Sequence, residues 1–260
     1  GPLCLSELNL GPGEFRKLSA EEQRCLLAYA EQGSASAPFS FADYDAVIFD
    51  LDGTLADSMG HWAEIDRIYL ERFGIEAPEN LSQVLGGRGI GEVADYFKEV
   101  FGIPDSKEQM LRDWEELSIE RYANDTALKP GVLPFLAELK RRRIKMAIAT
   151  SNARPMVDAV LEAHGIDRYF DVIVSGTDVE KGKPHPEIYL KAAAKSGVIP
   201  ERCAVFEDLP EGIQAGLSAG MRVYAVEDEF SASYREEKAQ LAFAMIKDYR
   251  ELWQTKEETK

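Results

Sequence analysis

The chain has 260 residues, 45% hydrophobic and 29% charged, a soluble globular composition long enough to bury a sizeable core without staples. A formal net charge of -16 argues against nucleic acid or an anionic membrane as the main partner. Cys4, Cys25 and Cys203 have no metal-ligand spacing and are odd in number, and no run approaches the roughly 20 apolar residues of a membrane span.

Residues 1–40 open with Gly1-Pro2 and no methionine, as a trimmed end would, and nothing there resembles a signal peptide, so a reducing cytoplasm is expected. Ser19-Ala20-Glu21-Glu22 forms a capping box before a short helical face, and Ser34 to Ser40 is a linker by composition. This stretch is expected to be an appendage without chemistry of its own. Ala46-Val47-Ile48-Phe49 then predicts a buried strand that stops at Asp50-Leu51-Asp52-Gly53. Taken alone, Asp-x-Asp-Gly is equally a strand ending in a polar turn.

After Asp52 the pattern turns helical. Ile65, Ile68, Tyr69 and Phe73 share a face up to Gly74, and Leu81 to Leu85 is a shorter candidate. The run Gly86 to Gly91 reads as a loop. Val93, Tyr96, Phe97 and Val100 form a second face, and Met110, Leu111, Trp114, Leu117, Ile119 and Tyr122 a third. No strand is expected between 58 and 127. From Pro130 helices and strands alternate: a helix with Val132, Leu133, Leu136 and Leu139, closed by the basic residues 140–143; a strand over 144–149 ending in Thr150-Ser151-Asn152; a helix over 155–164. The strand 172–174 ends in Ser175, a helix covers 186–196, and the strand 204–206 ends in Glu207-Asp208. A helix over 213–219 precedes the strand 222–226, and 234–252 is expected to be helical and to pack outside the sheet. Such alternation implies right-handed βαβ units and a parallel sheet.

Parallel strands put their carboxyl ends at one edge, so Asp50, Asp52, Thr150, Ser175, Glu207 and Asp208 should converge there. Carboxylates so close repel one another, and a hard divalent cation, Mg²⁺ before others, resolves the repulsion. Lys183, in the Gly- and Pro-rich loop 181–186, could reach the same edge and neutralise a transferring phosphoryl group.

The ordered set Asp50-Leu51-Asp52-Gly53-Thr54, Thr150-Ser151-Asn152, Lys183-Pro184 and Glu207-Asp208 resembles the four motifs of the haloacid dehalogenase superfamily over roughly residues 44–250. The helical insertion resembles the cap of its β-phosphoglucomutase-like subfamily. The resemblance implies an α/β, Rossmann-like parallel-sheet core (41–57 and 128–254) with an all-α cap (58–127) inserted after the first strand. It also implies a Mg²⁺-dependent phosphatase acting on a small phosphomonoester. Asp50 would be the nucleophile and Asp52 the general acid and base. Thr150 and the backbone amides of Ser151 and Asn152 would hold phosphoryl oxygens, and Lys183 would bridge Asp50 and the phosphoryl group. Asp50, Asp52 (through its carbonyl) and Asp208 would bind the metal, with Glu207 beside it. A monomer or small homo-oligomer is expected.

The cap is less legible. Arg88 is the candidate contact to a distal anionic or hydroxyl group of the substrate, and is equally a solvated arginine. Gly89 to Ala94 fits a loose dinucleotide pattern with no strand before it, and that reading is set aside. Sugar phosphomutases of the subfamily place a histidine where this chain has Trp62, with His61 one step early, so hydrolase is preferred over a hexose-phosphate mutase. His61 could still line the site. A catalytically idle binding protein is a further alternative that the intact Asp50, Asp52, Lys183 and Asp208 disfavour. His164 reads as a helix-end cation, and His185 has no assigned role.

Overall fold

The computed structural model describes residues 39–85 and 90–253. The capping box at Ser19 and the first 38 residues lie outside them, as does Arg88. Strand β1 (Ala46–Phe49) sits at the centre of a six-stranded sheet with β4 (Lys145–Ala149) on one side and β6 (Cys203–Glu207) on the other. Outward from these lie β5 (Val172–Val174) at one edge, and β7 (Arg222–Val226) then β8 (Ala244–Ile246) at the other, all parallel. The chain moves outward from β1 through β4 to β5, then returns to the far side for β6. Strand order therefore reverses around β1, the position where open parallel sheets form a ligand crevice.

Strand residues alternate between two apolar layers. Val47 and Phe49 join an aromatic-rich cluster with Phe135, Phe206, Tyr224 and Tyr249, while Ala46 and Ile48 join Ala147, Tyr189 and Val205 on the other face. Burial of both faces explains why β1 reads as an unbroken apolar run. Helices α5 (Val132–Arg141), α6 (Arg154–His164), α7 (Glu187–Ser196) and α8 (Pro210–Ser218) make the crossovers. The α5 helix buries Val132, Phe135, Leu136 and Leu139; Leu133, expected on that face, is 49% exposed because Phe135 takes the inward position.

Between β1 and α5 the chain leaves the sheet. Short strands β2 (Ala56–Asp57) and β3 (Ala127–Leu128) pair antiparallel, and everything described between them is helix or loop. Helices α1 (His61–Glu71), α2 (Leu81–Leu85), α3 (Ile90–Phe101) and α4 (Lys107–Asn124) close on a third cluster with Ile65, Tyr69, Phe97, Met110 and Trp114. The α3 helix starts earlier than expected and takes Ile90 and Gly91 from the predicted loop. It buries Ala94 and Phe97, and Val100 falls one step past that stripe and is 55% exposed.

The largest departure lies at 234–252. Helix α9 (Arg235–Leu241) ends early, Phe243 N–H donates to Val223 O at 2.8 Å, and Ala244 to Ile246 pair with β7. The turn Tyr249–Leu252 then buries both named residues in the aromatic cluster rather than lying outside the sheet. Three residues are too few to reveal a strand by alternation; the free edge of β7 supplies the pairing. Among the described residues no helix is long and apolar enough to cross a membrane.

Burial in α1 pushes the Asp66 carboxyl up from 3.8 to about 7. Between those values the folded chain holds a proton that the unfolded chain releases, so stability present at low pH is lost as pH rises through about 7. Asp66→Asn removes this loss. Its unfolding free energy should gain on the parent's by on the order of 2 kcal/mol between about pH 5.5 and pH 8. Identical pH dependence in denaturant titrations of the two proteins would refute the shift.

Candidate active site

Asp50 is the first residue past β1, and its N–H still donates to Phe206 O at 3.0 Å, so the strand ladder fixes its backbone. Asp50, Asp52, Thr150, Ser151, Lys183, Glu207 and Asp208 line one cleft of about 360 Å³ at the carboxyl edge of the sheet. Met59, Leu209, Glu211, Gly212 and Tyr234 complete its walls. Ser175 does not join them: it caps the following turn, its hydroxyl 2.9 Å from the Asp178 carboxylate, since β5 is the outermost strand on that side.

Lys183 comes from the loop before α7. Glu187, in the first turn of α7, accepts the N–H groups of Glu180 and Lys181 at 3.0 and 3.1 Å and ties that loop down. The Lys183 ammonium donates to Asp50 Oδ1 at 2.6 Å and Glu207 Oε1 at 2.5 Å, with all three side chains nearly buried. Glu207 is fully engaged. Its Oε1 also accepts from Tyr189 OH at 3.2 Å, and its Oε2 takes the N–H groups of Asp208 and Leu209 at 2.7 and 2.9 Å. Asp208 is the opposite case: it is 1% exposed, and its Oδ2 has no hydrogen-bond partner among the described residues.

Carboxylate oxygens of Asp50, Glu207 and Asp208 lie within 4.8 Å of one another. One ammonium faces three carboxylates. Burial pushes the Asp50 and Asp208 carboxyls upward, and the Glu207 charge adds to both. Burial alone would lower Lys183, but Asp50 and Glu207 together hold its ammonium well above the usual lysine range. The orphaned Asp208 oxygen beside this excess of negative charge is what a hard divalent cation with oxygen preference satisfies. The all-oxygen donor set fits such an ion.

Asp52 stands apart from that cluster. Its Oδ1 accepts from Ser58 Oγ at 2.5 Å and Tyr122 OH at 2.6 Å, and its Oδ2 from Asn152 Nδ2 at 2.6 Å. Burial raises the Asp52 carboxyl, while the Ser58 and Tyr122 hydroxyls pull it down. The Asn152 side chain is committed to Asp52, and its backbone N–H, the group expected on a phosphoryl oxygen, donates to Thr150 Oγ1 at 3.1 Å. His61 does not line the cleft; its Nε2 lies 2.7 Å from Thr126 Oγ1. His164, at the end of α6, donates to Thr126 O at 2.7 Å, which gives that helix-end residue a specific partner.

Sequence reasoning missed Ser58 and Tyr122. A hydroxyl six positions after Asp52 could have been flagged at the start of the insertion, but Tyr122 carries no local signal, since at helical spacing it counts as one more apolar-face residue.

Two glycines let the backbone close on the acids. At Gly53, with φ +69°, an added Cβ would stand 2.4 Å from Asp208 Oδ2, and at Gly212 it would stand 1.7 Å from Glu207 Oε1. Gly212→Ala must therefore displace the carboxylate that anchors Lys183. Urea titration should find it less stable by about 1–3 kcal/mol, and an unchanged midpoint would mean that Glu207 moves freely.

The model for haloacid dehalogenase-like hydrolases matches residues 47–226. A phosphorylated carbohydrates phosphatase of Thermotoga maritima is 36% identical over 183 residues, covering 70% of this chain and 85% of that protein. Hexitol phosphatase A of Escherichia coli is 33% identical over 179 residues, covering 69% and 81%. The crystal structure of CbbY from Rhodobacter sphaeroides in complex with phosphate superposes with a TM-score of 0.70 at 28% identity, covering 81% of this chain and 96% of that one.

Proposed function

Because this chain belongs to the haloacid dehalogenase-like hydrolases and is a phosphoric monoester hydrolase, we propose that it cleaves a small phosphomonoester, a sugar or polyol phosphate, through an aspartyl-phosphate on Asp50 with Mg²⁺ as its divalent ion. The observation that carries this reading is the Lys183 ammonium seated between Asp50 and Glu207 beside an unpartnered, buried Asp208 oxygen.

Asp50 Oδ attacks phosphorus, the bond to the leaving oxygen breaks, and Asp52 delivers a proton to that oxygen. Water then attacks the phosphorylated Asp50, Asp52 takes its proton, and the Asp50–phosphorus bond breaks to release inorganic phosphate. Lys183 spans the nucleophile and screens it from the incoming dianion. Thr150 and the backbone N–H of Ser151 face the phosphoryl oxygens. Asp50, Asp208 and the Asp52 carbonyl would hold the divalent ion, with Glu207 beside it spending its oxygens on Lys183 and backbone N–H groups; when bound, the ion supplies charge neutralisation at the phosphoryl group. Residues 58–127 act as a cap that shields the first transfer from bulk water and opens for release, turning about the crossings near 56–59 and 126–130. A cytoplasmic setting suits a small phosphate ester as substrate.

The test is phosphate release from a panel of sugar, polyol and nucleoside monophosphates with Mg²⁺ or with EDTA. Release should require the metal and fall by about three orders of magnitude or more in Asp50→Asn. Release that survives Asp50→Asn overturns the mechanism. Conversion of β-glucose 1-phosphate to its 6-phosphate without net release would instead make the protein a mutase.

A further inference from the structure

Tyr122 lies in the last turn of α4, within the inserted helices, yet it is 1% exposed and packs in the aromatic cluster of the sheet. Its single hydroxyl hydrogen goes to Asp52 Oδ1 at 2.6 Å, and its oxygen accepts from Asn152 Nδ2 at 2.9 Å. Asn152 Nδ2 also donates to Asp52 Oδ2 at 2.6 Å. The two amide hydrogens and the phenol hydrogen thus close a ring around one carboxylate. That ring joins three chain segments: the turn after β1, the loop after β4, and α4. Asn152 and Asp52 both belong to the sheet side, so Tyr122 is the member contributed by the insertion.

The hydroxyl both donates and accepts in this environment. Burial and the Asp52 charge push the phenol above its ordinary range. His61 packs edge-on to the Tyr122 ring at 5.3 Å between centroids and is itself tied to Thr126. Thr126 O takes the hydrogen bond from His164 of α6. The foot of α4 is therefore braced on the core while its last aromatic residue reaches the carboxylate. A side chain placed to fill space would not need both hydrogen-bonding functions of its hydroxyl satisfied by the same pair of residues.

We propose that Tyr122 is a positioning residue that fixes the orientation of Asp52 from the cap side, so that Asp52 is aligned when the foot of α4 is seated on the core. This rests on the reading of Asp52 as the group that protonates the leaving oxygen. Seating of the helix and alignment of the carboxylate then become one event. A cap displaced at this point would withdraw a donor from Oδ1 and free Asn152 to turn.

The test compares two substrates in one preparation, in the presence of Mg²⁺: the best alkyl phosphate of the panel, whose leaving alkoxide needs a proton, and p-nitrophenyl phosphate, whose leaving phenolate does not. The readout is the ratio of their kcat/KM values, which is insensitive to the fraction of protein folded. Tyr122→Phe keeps the ring and removes the hydroxyl. It should lower the alkyl value by about 10-fold or more and the aryl value by less than about 3-fold. Asp52→Asn should discriminate in the same sense, and adding Tyr122→Phe to it should cost the alkyl substrate less than about 3-fold further. Discrimination by Asp52→Asn with none by Tyr122→Phe overturns the role of Tyr122 and leaves the proposed reaction standing. Equal losses on both substrates in Asp52→Asn overturn the reading of Asp52, and the role of Tyr122 falls with it.

Discussion

Three buried carboxylates crowded against one ammonium are the constraint on which the rest of this structure depends. Left without Lys183, Asp50 would be a buried charge with no cation beside it and Glu207 would keep only neutral donors, a loss of about 3–5 kcal/mol for a broken buried pair and a large share of a domain's stability. Much of the local architecture follows from supplying that ammonium. Glu187 pins the loop that carries it, Tyr189 closes over Glu207, and the N–H groups at the start of the next helix take the other Glu207 oxygen. Glycines stand where any side chain would collide with these acids.

The same constraint separates the acids by task. Glu207 has no oxygen left over, Asp208 has one without a partner among the described residues, and Asp52 is turned to a separate set of donors. Environment rather than residue type makes that division, since all are carboxylates of similar intrinsic acidity. Desolvation raises the carboxyl of each aspartate, and the neighbours then decide how far.

The inserted helices meet the core where α4 packs along α6 and through polar contacts at its foot. Thr126 joins His61 to His164, and Tyr122 joins the last turn of α4 to Asp52. Above this junction the helices bury their own cluster around Trp114 and Phe97. The insertion thus has a core of its own, and its junction with the sheet sits beside the Asp52 carboxylate.

The sequence by itself determined the alternation of strands and helices, the parallel sheet and the shared edge at which Asp50, Lys183, Glu207 and Asp208 meet. Those features follow from local periodicity and chain direction, which a linear chain carries openly. Tertiary structure alone decided that Ala244 to Ile246 would become a sixth strand, because only the free edge of β7 makes pairing favourable there. It also decided that Ser175 would cap its own turn, that Asn152 would serve Asp52, and that His61 would turn to Thr126. Tyr122 lies 70 positions from Asp52 in the chain, and its hydroxyl finds that carboxylate only once α4 has packed on the core. Contacts at such separation depend on how two finished elements dock, and no spacing of residues along the chain encodes that.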